Sequence, residues 1–138
     1  MPSIIDEVPE SHRDLLMAPL TAALTTVDAK GRPQSTAVWY LVDDEGILLG
    51  SVTNRRQKYR NLSQNPNCTL LIIDPSDPRR TLEIRAEAEL TDDPEKTTVS
   101  KLAAAYQTDE AMLKAAGDNR FTVTYRPRQI VVNPPPRR

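Results

Sequence analysis

The sequence predicts a mainly β protein: a small antiparallel barrel of six to seven strands, with short helices inserted between them. Three observations carry that prediction. Short apolar and β-branched segments recur along the chain, separated by turns rich in Asp, Gly, Asn and Pro. Residues 82–90 alternate strictly, with Leu82, Ile84, Ala86, Ala88 and Leu90 on one face and Glu83, Arg85, Glu87 and Glu89 on the other. The strands follow one another in meander order, which suits a small barrel.

In chain order, residues 1–9 read as an irregular arm with Pro2 and Pro9 near its ends. Ser11 is placed to cap a short helix over 12–18, with Leu15, Leu16 and Met17 facing inward, and Pro19 stops it. A strand over 20–27, a turn over 28–33 and a returning strand over 34–42 form a hairpin, in which Gly31 supplies a positive φ. In the returning strand Gln34, Thr36, Val38 and Tyr40 share one side, and Ser35, Ala37, Trp39 and Leu41 the other. A turn over 43–46 leads to a third strand over 47–52. Residues 68–74 are almost all apolar, as a strand buried on both faces would be. Asp93 and Pro94 read as the N-cap and first position of a helix that turns Val99, Leu102, Ala103 and Tyr106 toward the barrel. A second short helix over 109–116 ends at Gly117. The last strands cover 120–125 and 129–132, divided at Pro127, and the tail 134–138 is too proline-rich to pack as a strand.

A chain of 138 residues fits one domain, 1–138, able to bury a core without disulfides or metals. Hydrophobic residues at 38% and charged residues at 27% describe a soluble globular protein. No apolar run approaches the roughly 20 residues of a membrane span. The N-terminus lacks a basic segment followed by an apolar one, so a cytoplasmic location is the expectation. One Cys and one His exclude the usual zinc sites, so no metal is expected, and with His12 in the polar N-terminal segment the buried Cys68 lacks the nearby base a catalytic thiol needs. The alternating glutamates belong to a solvated outer face rather than to an acid–base pair.

The functional signal lies in residues 48–62, LLGSVTNRRQKYRNL. An apolar strand ends near Ser51 and Val52, the chain turns at Thr53 and Asn54, and Arg55, Arg56, Lys58 and Arg60 follow at the start of a helix. No carboxylate occurs between Glu45 and Asp74, although the whole chain has a net charge of only -1. A solvated helix face normally alternates its charges, so four cations without acids fit an anion better. A helix N-terminus adds unpaired N–H groups and a positive dipole end, which makes this strand-to-helix turn a candidate phosphate cradle. A single-strand nucleic-acid surface would need aromatic platforms among the cations, and only Tyr59 interrupts this cluster, so no nucleic-acid partner is expected.

The chain resembles the pyridoxamine 5'-phosphate oxidase-like split β-barrel family, and more closely its deazaflavin-using actinobacterial branch. The features that carry the resemblance are the hairpin LTAALTTVDAKGRPQSTAVWYLVDDEG, the strand ILLGSV, the run RQKYRNL followed by Asn65 and Pro66, and the strand TLEIRAEAEL leading into TDDP. The resemblance implies a homodimer with two cofactor sites at the subunit interface. It implies coenzyme F420 as cofactor, with FMN as the alternative, and hydride transfer to a conjugated small-molecule substrate. Non-catalytic binding of a flavin or haem is a further reading within the fold. Arg56 and Lys58 fall at the family's phosphate-holding positions, with Arg55 beside them. Gln34, Ser35 and Thr36, together with Ser51, Val52 and Thr53, match positions lining the tricyclic ring, and Asn61 supports the turn. Arg55, Arg60, Arg79 and Arg80 could offer a basic path to the oligoglutamate tail of F420. The C-terminal Arg- and Trp-containing segment of true pyridoxamine phosphate oxidases is missing, so pyridoxal phosphate synthesis is not expected.

Overall fold

Two Asp-x-x-Gly turns of one design fold the first half of the chain into hairpins. In a computed structural model, which describes residues 2–109, 111 and 119–136, Asp28 and Asp43 each accept two backbone N–H groups through Oδ1, all at 2.9 Å. Three residues on, Gly31 (φ +79°) and Gly46 (φ +78°) take the left-handed conformation. The first turn joins β1 (Ala22–Val27) to β2 (Pro33–Val38), and the second joins β3 (Leu41–Val42) to β4 (Leu48–Thr53). Gly46 also has no room for a side chain, since a Cβ there would lie 2.1 Å from Ser3 Oγ, where the N-terminal arm crosses over the turn.

With β5 (Asn67–Asp74), β6 (Asp77–Asp92) and β7 (Arg120–Asn133) the strands form one antiparallel sheet, ordered β2-β1-β5-β6-β7-β4-β3. The strand expected over 34–42 is therefore two strands, because at Trp39 and Tyr40 the chain leaves one edge of the sheet for the other. Two residues separate these edges, so Val38 and Leu41 lie within about 11 Å, three virtual Cα bonds. The sheet must curl through most of a barrel to allow this. Its interior is filled by side chains at most 2% exposed, among them Leu24, Tyr40, Leu48, Leu70, Ile84 and Val123.

The alternation over 82–90 is realised in β6: Leu82, Ile84, Ala86 and Ala88 are buried, while Glu87 and Glu89 form ion pairs with Arg128 and Arg126 on β7. β5 alternates too, which corrects the expectation of a strand buried on both faces. Cys68, Leu70 and Ile72 point inward, but Leu71 is half-buried and Ile73 is 45% exposed. β7 is one strand rather than two. Pro127 pairs with Ala86 and Gln129 with Arg85, so Arg128 is the additional residue of a bulge, where the missing proline N–H is tolerated.

The N-terminal arm carries a helical turn rather than being irregular throughout. Ser3 Oγ accepts the Ile5 N–H and caps α1 (Ile4–Glu7), and a 3-10 turn, Glu10–His12, precedes α2 (Arg13–Met17). Ser11 is not a cap; it bonds His12 Nδ1 at 2.8 Å. His12 is buried, and its Nε2 meets the Asn133 carbonyl at 2.8 Å. A carbonyl can only accept, so Nε2 carries the proton. Leu15 and Leu16 face inward as expected, but Met17 is 52% exposed.

Arg80 fastens α2 to the sheet through Asp14, Asp74 and the Ser11 carbonyl. The Asp74 carboxyl is held down to about 2 by the Ser76 N–H and hydroxyl and then by Arg80. Asp14 is also lowered, first by its bond to Arg80. Unfolded Asp titrates near 3.9, so these groups contribute stability above about pH 4 that is lost as pH falls toward 2. Thermal melts from pH 5 to 2 should therefore show a Tm decline that is shallower in Asp74→Asn. Equal slopes would contradict this assignment.

α3 (Gln57–Gln64) and α4 (Thr97–Ala105) pack against the barrel. α4 begins three residues after Pro94, because Asp93 reaches forward to accept the N–H groups of Thr97 and Thr98 at 2.9 and 3.1 Å. Apart from Asp109 and Ala111, the helix expected over 109–116 and its Gly117 stop lie outside the described residues. Residues 134–136 are exposed and lie outside any strand. Among the described residues, no helix is long and apolar enough to cross a membrane, and no cluster of His, Cys, Asp or Glu could hold a metal.

Candidate functional site

Two adjoining cavities form one cleft at the open edge of β2. The polar half, about 360 Å³, is lined by Gln34, Thr36, Arg55, Arg56 and Lys58 among others. The less polar half, about 310 Å³, includes Trp39, Ser51, Val99, Leu102 and Arg120. Ala37 and Lys58 border both halves, which therefore lie side by side. The cleft can thus hold an anion at one end and an apolar body at the other.

The alternation of β2 brings Gln34 and Thr36 to the same side as the basic turn. Gln34 Oε1 and Thr36 Oγ1 are buried and have no hydrogen-bond partner among the described residues. Such groups carry a desolvation cost of roughly 1–3 kcal/mol each, which a polar ligand would offset. Thr36→Val should therefore raise the stability of the cofactor-free protein by about 1 kcal/mol while weakening ligand binding. Chemical denaturation and titration of the same variant test both halves, and a destabilised variant would show that Thr36 has a partner in solution.

The basic turn is fixed from two sides. The Asn54 N–H donates to the Asn119 carbonyl and the Arg56 N–H to the Thr53 carbonyl, both at 3.2 Å. Arg56 is the N-cap of α3, so Arg55 and Arg56 precede the helix rather than opening it. Among the described residues no side chain caps α3, and no acid stands in its first turn, leaving its leading N–H groups for a ligand. Lys58 is half-buried, and burial lowers its ammonium pKa, with Arg56 and Arg120 adding repulsion. Neither Lys58 nor Arg56 has an ion-pair partner among the described residues.

The structure brings Gln34, Thr36, Arg55, Arg56 and Lys58 into the polar half and Ser51 into the other. Val52 is 2% exposed and Thr53 is buried, so chiefly their backbone is left for a ligand. The Ser35 side chain lies on the outer face, bonded to Thr25 Oγ1 at 2.8 Å. Asn61 sits beneath the cradle: its Nδ2 donates to Thr26 Oγ1 at 3.0 Å, and its Oδ1 accepts from Gln57 at 2.7 Å. Arg60 braces the turn through Gln57 and the Arg55 carbonyl. Arg79 forms an ion pair with Asp77, and Arg80 with Asp14 and Asp74, and neither lines the cleft.

Arg120 was not legible as a site residue. It opens β7, pairs in register with Thr53, and donates to Ser51 Oγ at 3.3 Å. Only the β4–β7 pairing places it beside Lys58, and no local motif marks it.

The pyridoxamine 5'-phosphate oxidase family matches residues 8–129. Among solved structures, one titled F420 Reductase is 35% identical, with a TM-score of 0.77 over 90% of this chain and 98% of that one. A conserved hypothetical protein, Rv2991 from Mycobacterium tuberculosis, is 25% identical, with a TM-score of 0.74 over 91% of this chain and 84% of its own. HutZ, the heme storage protein from Vibrio cholerae, is 20% identical, with a TM-score of 0.72 over 88% and 92%, a likeness of fold alone. No curated protein sequence matches. The match spanning most of the chain, on a barrel of this topology, establishes that the chain belongs to the pyridoxamine 5'-phosphate oxidase family.

Proposed function

We propose that this protein is an F420-dependent oxidoreductase acting on a conjugated small molecule. The observation that carries the reading is the pair of unpartnered atoms, Gln34 Oε1 and Thr36 Oγ1, in the cleft that also gathers Arg55, Arg56 and Lys58. That donor and acceptor set fits a phosphate and the polar edge of a flat ring. The relative titled F420 Reductase supports the deazaflavin over FMN.

When bound, the reduced deazaflavin supplies a hydride to an electron-poor acceptor. Arg55, Arg56, Lys58 and the start of α3 hold the phosphate, and Gln34 and Thr36 orient the ring. Trp39, Val99 and Leu102 keep water from the acceptor side. Tyr40 is not the proton donor: it is buried, its hydroxyl donates to the Leu15 carbonyl at 2.8 Å, and burial raises its pKa. Tyr59 packs its ring on Phe121, with centroids 4.7 Å apart, and does not line the cleft. Neither tyrosine is therefore placed to give the product its proton. A second copy of the chain completes the site, and the exposed outer surface around Ala37, Leu71 and Ile73 suits such pairing.

Haem is disfavoured because the only histidine is buried between Ser11 and the Asn133 carbonyl. The test is to mix purified protein with reduced F420 and a panel of quinones and enones and to follow cofactor oxidation. Turnover with at least one acceptor is the expected result, and oxidation no faster than without protein would overturn the reading.

A further inference from the structure

Trp39 is the only tryptophan of the chain, and it stands at the crossover between the two edges of the sheet. It lines the less polar half of the cleft, and its ring stacks on Tyr106 with centroids 4.5 Å apart and planes 10° from parallel. With one face covered, the indole can offer a ligand only its other face and its edge. Tyr106 is fixed in turn through its hydroxyl, which donates to the Leu20 carbonyl at 2.6 Å and accepts the Tyr40 N–H at 3.1 Å.

Tyr106 follows α4 directly, and α4 contributes Val99 and Leu102 to the same cavity. One side chain thus ties together the approach to β1, the crossover, the end of α4 and the Trp39 ring. A hydroxyl needed only for burial would be satisfied by one carbonyl. Here it also holds the backbone next to Trp39, so the orientation of the indole depends on it.

We propose that Tyr106 is a positioning residue for acceptor selection: by clamping the crossover and covering one face of Trp39, it keeps that wall of the cleft flat and favours a planar conjugated acceptor. The proposal rests on the oxidoreductase reading for the word acceptor, while the clamp itself can be measured without any cofactor. Tyr106→Phe keeps an aromatic ring but removes the hydroxyl's contacts with the Leu20 carbonyl and the Tyr40 backbone, so the ring and the crossover are no longer held against each other. In cofactor-free protein, acrylamide quenching of Trp39 fluorescence should then rise severalfold, with the wild-type circular dichroism spectrum retained.

In turnover, the KM for menadione, a flat quinone, should rise about tenfold, while that for the puckered enone 2-cyclohexen-1-one and the Kd for F420 move by less than about twofold. Trp39→Leu leaves the Tyr106 hydroxyl contacts in place and should lose the same preference for menadione, which keeps the test valid if Tyr106→Phe folds poorly. Unchanged quenching in Tyr106→Phe, or an unchanged KM ratio in Trp39→Leu, would overturn the proposal. Absence of turnover in the wild type would instead overturn the oxidoreductase reading, with the quenching result still deciding whether Tyr106 fixes Trp39.

Discussion

Lys58→Met is expected to weaken F420 binding by about 1.5–3 kcal/mol, the range for hydrogen bonds to a charged group, and to leave the cofactor-free protein as stable as before or more so. The two effects have one cause. Lys58 is half-buried beside Arg56 and Arg120, and its lowered pKa means that the folded state disfavours its charge in the absence of a ligand. A group whose folded pKa is depressed in this way, for a cation, lowers stability at pH values below that pKa, so removing the charge relieves the folded state. An anion in the cradle reverses the balance. Titration of the variant, together with melts of the cofactor-free protein, reads both terms. A fall in Tm with unchanged affinity would make Lys58 an ordinary structural residue.

Asn61→Ala should lower stability by about 2–4 kcal/mol, since it removes two hydrogen bonds, leaves the buried Thr26 hydroxyl without its donor and opens a small cavity. Asn61 is 2% exposed and joins Thr26 on β1 to Gln57 in the first turn of α3, so it sets how that helix meets the barrel. Binding measured well below Tm should suffer less than in Lys58→Met, because Asn61 does not line the cleft. Denaturant unfolding and titration of the two variants in parallel separate support from contact. If Asn61→Ala lost more affinity than stability, Asn61 would itself touch the ligand.

The barrel was legible because its signals are local. The Asp-x-x-Gly turns carry their own hydrogen bonds, and the alternation of β6 reads directly as an inside and an outside. The cationic turn was legible for the same reason, as four cations in six residues with no acid nearby. What escaped depends on contacts distant in sequence. Arg120 meets the cradle only through strand pairing, and Tyr106 meets Trp39 across 67 positions, as the difference between their numbers shows. Met17 and Ile73 look like core residues by type, and their exposure follows from what does not cover them. The Asp93–Pro94 pair has the pattern of a cap and first helical position, whereas the Asp93 carboxylate reaches the helix from further back.

The basic turn of β4–α3, with Gln34 and Thr36, is the proposed seat of a deazaflavin. Equilibrium titration of cofactor-free protein with F420 and with FMN, followed by Trp39 fluorescence, tests it most directly. Micromolar or tighter binding of F420, with FMN about tenfold or more weaker, is the predicted result. Tighter binding of FMN, or saturation by neither, would contradict it.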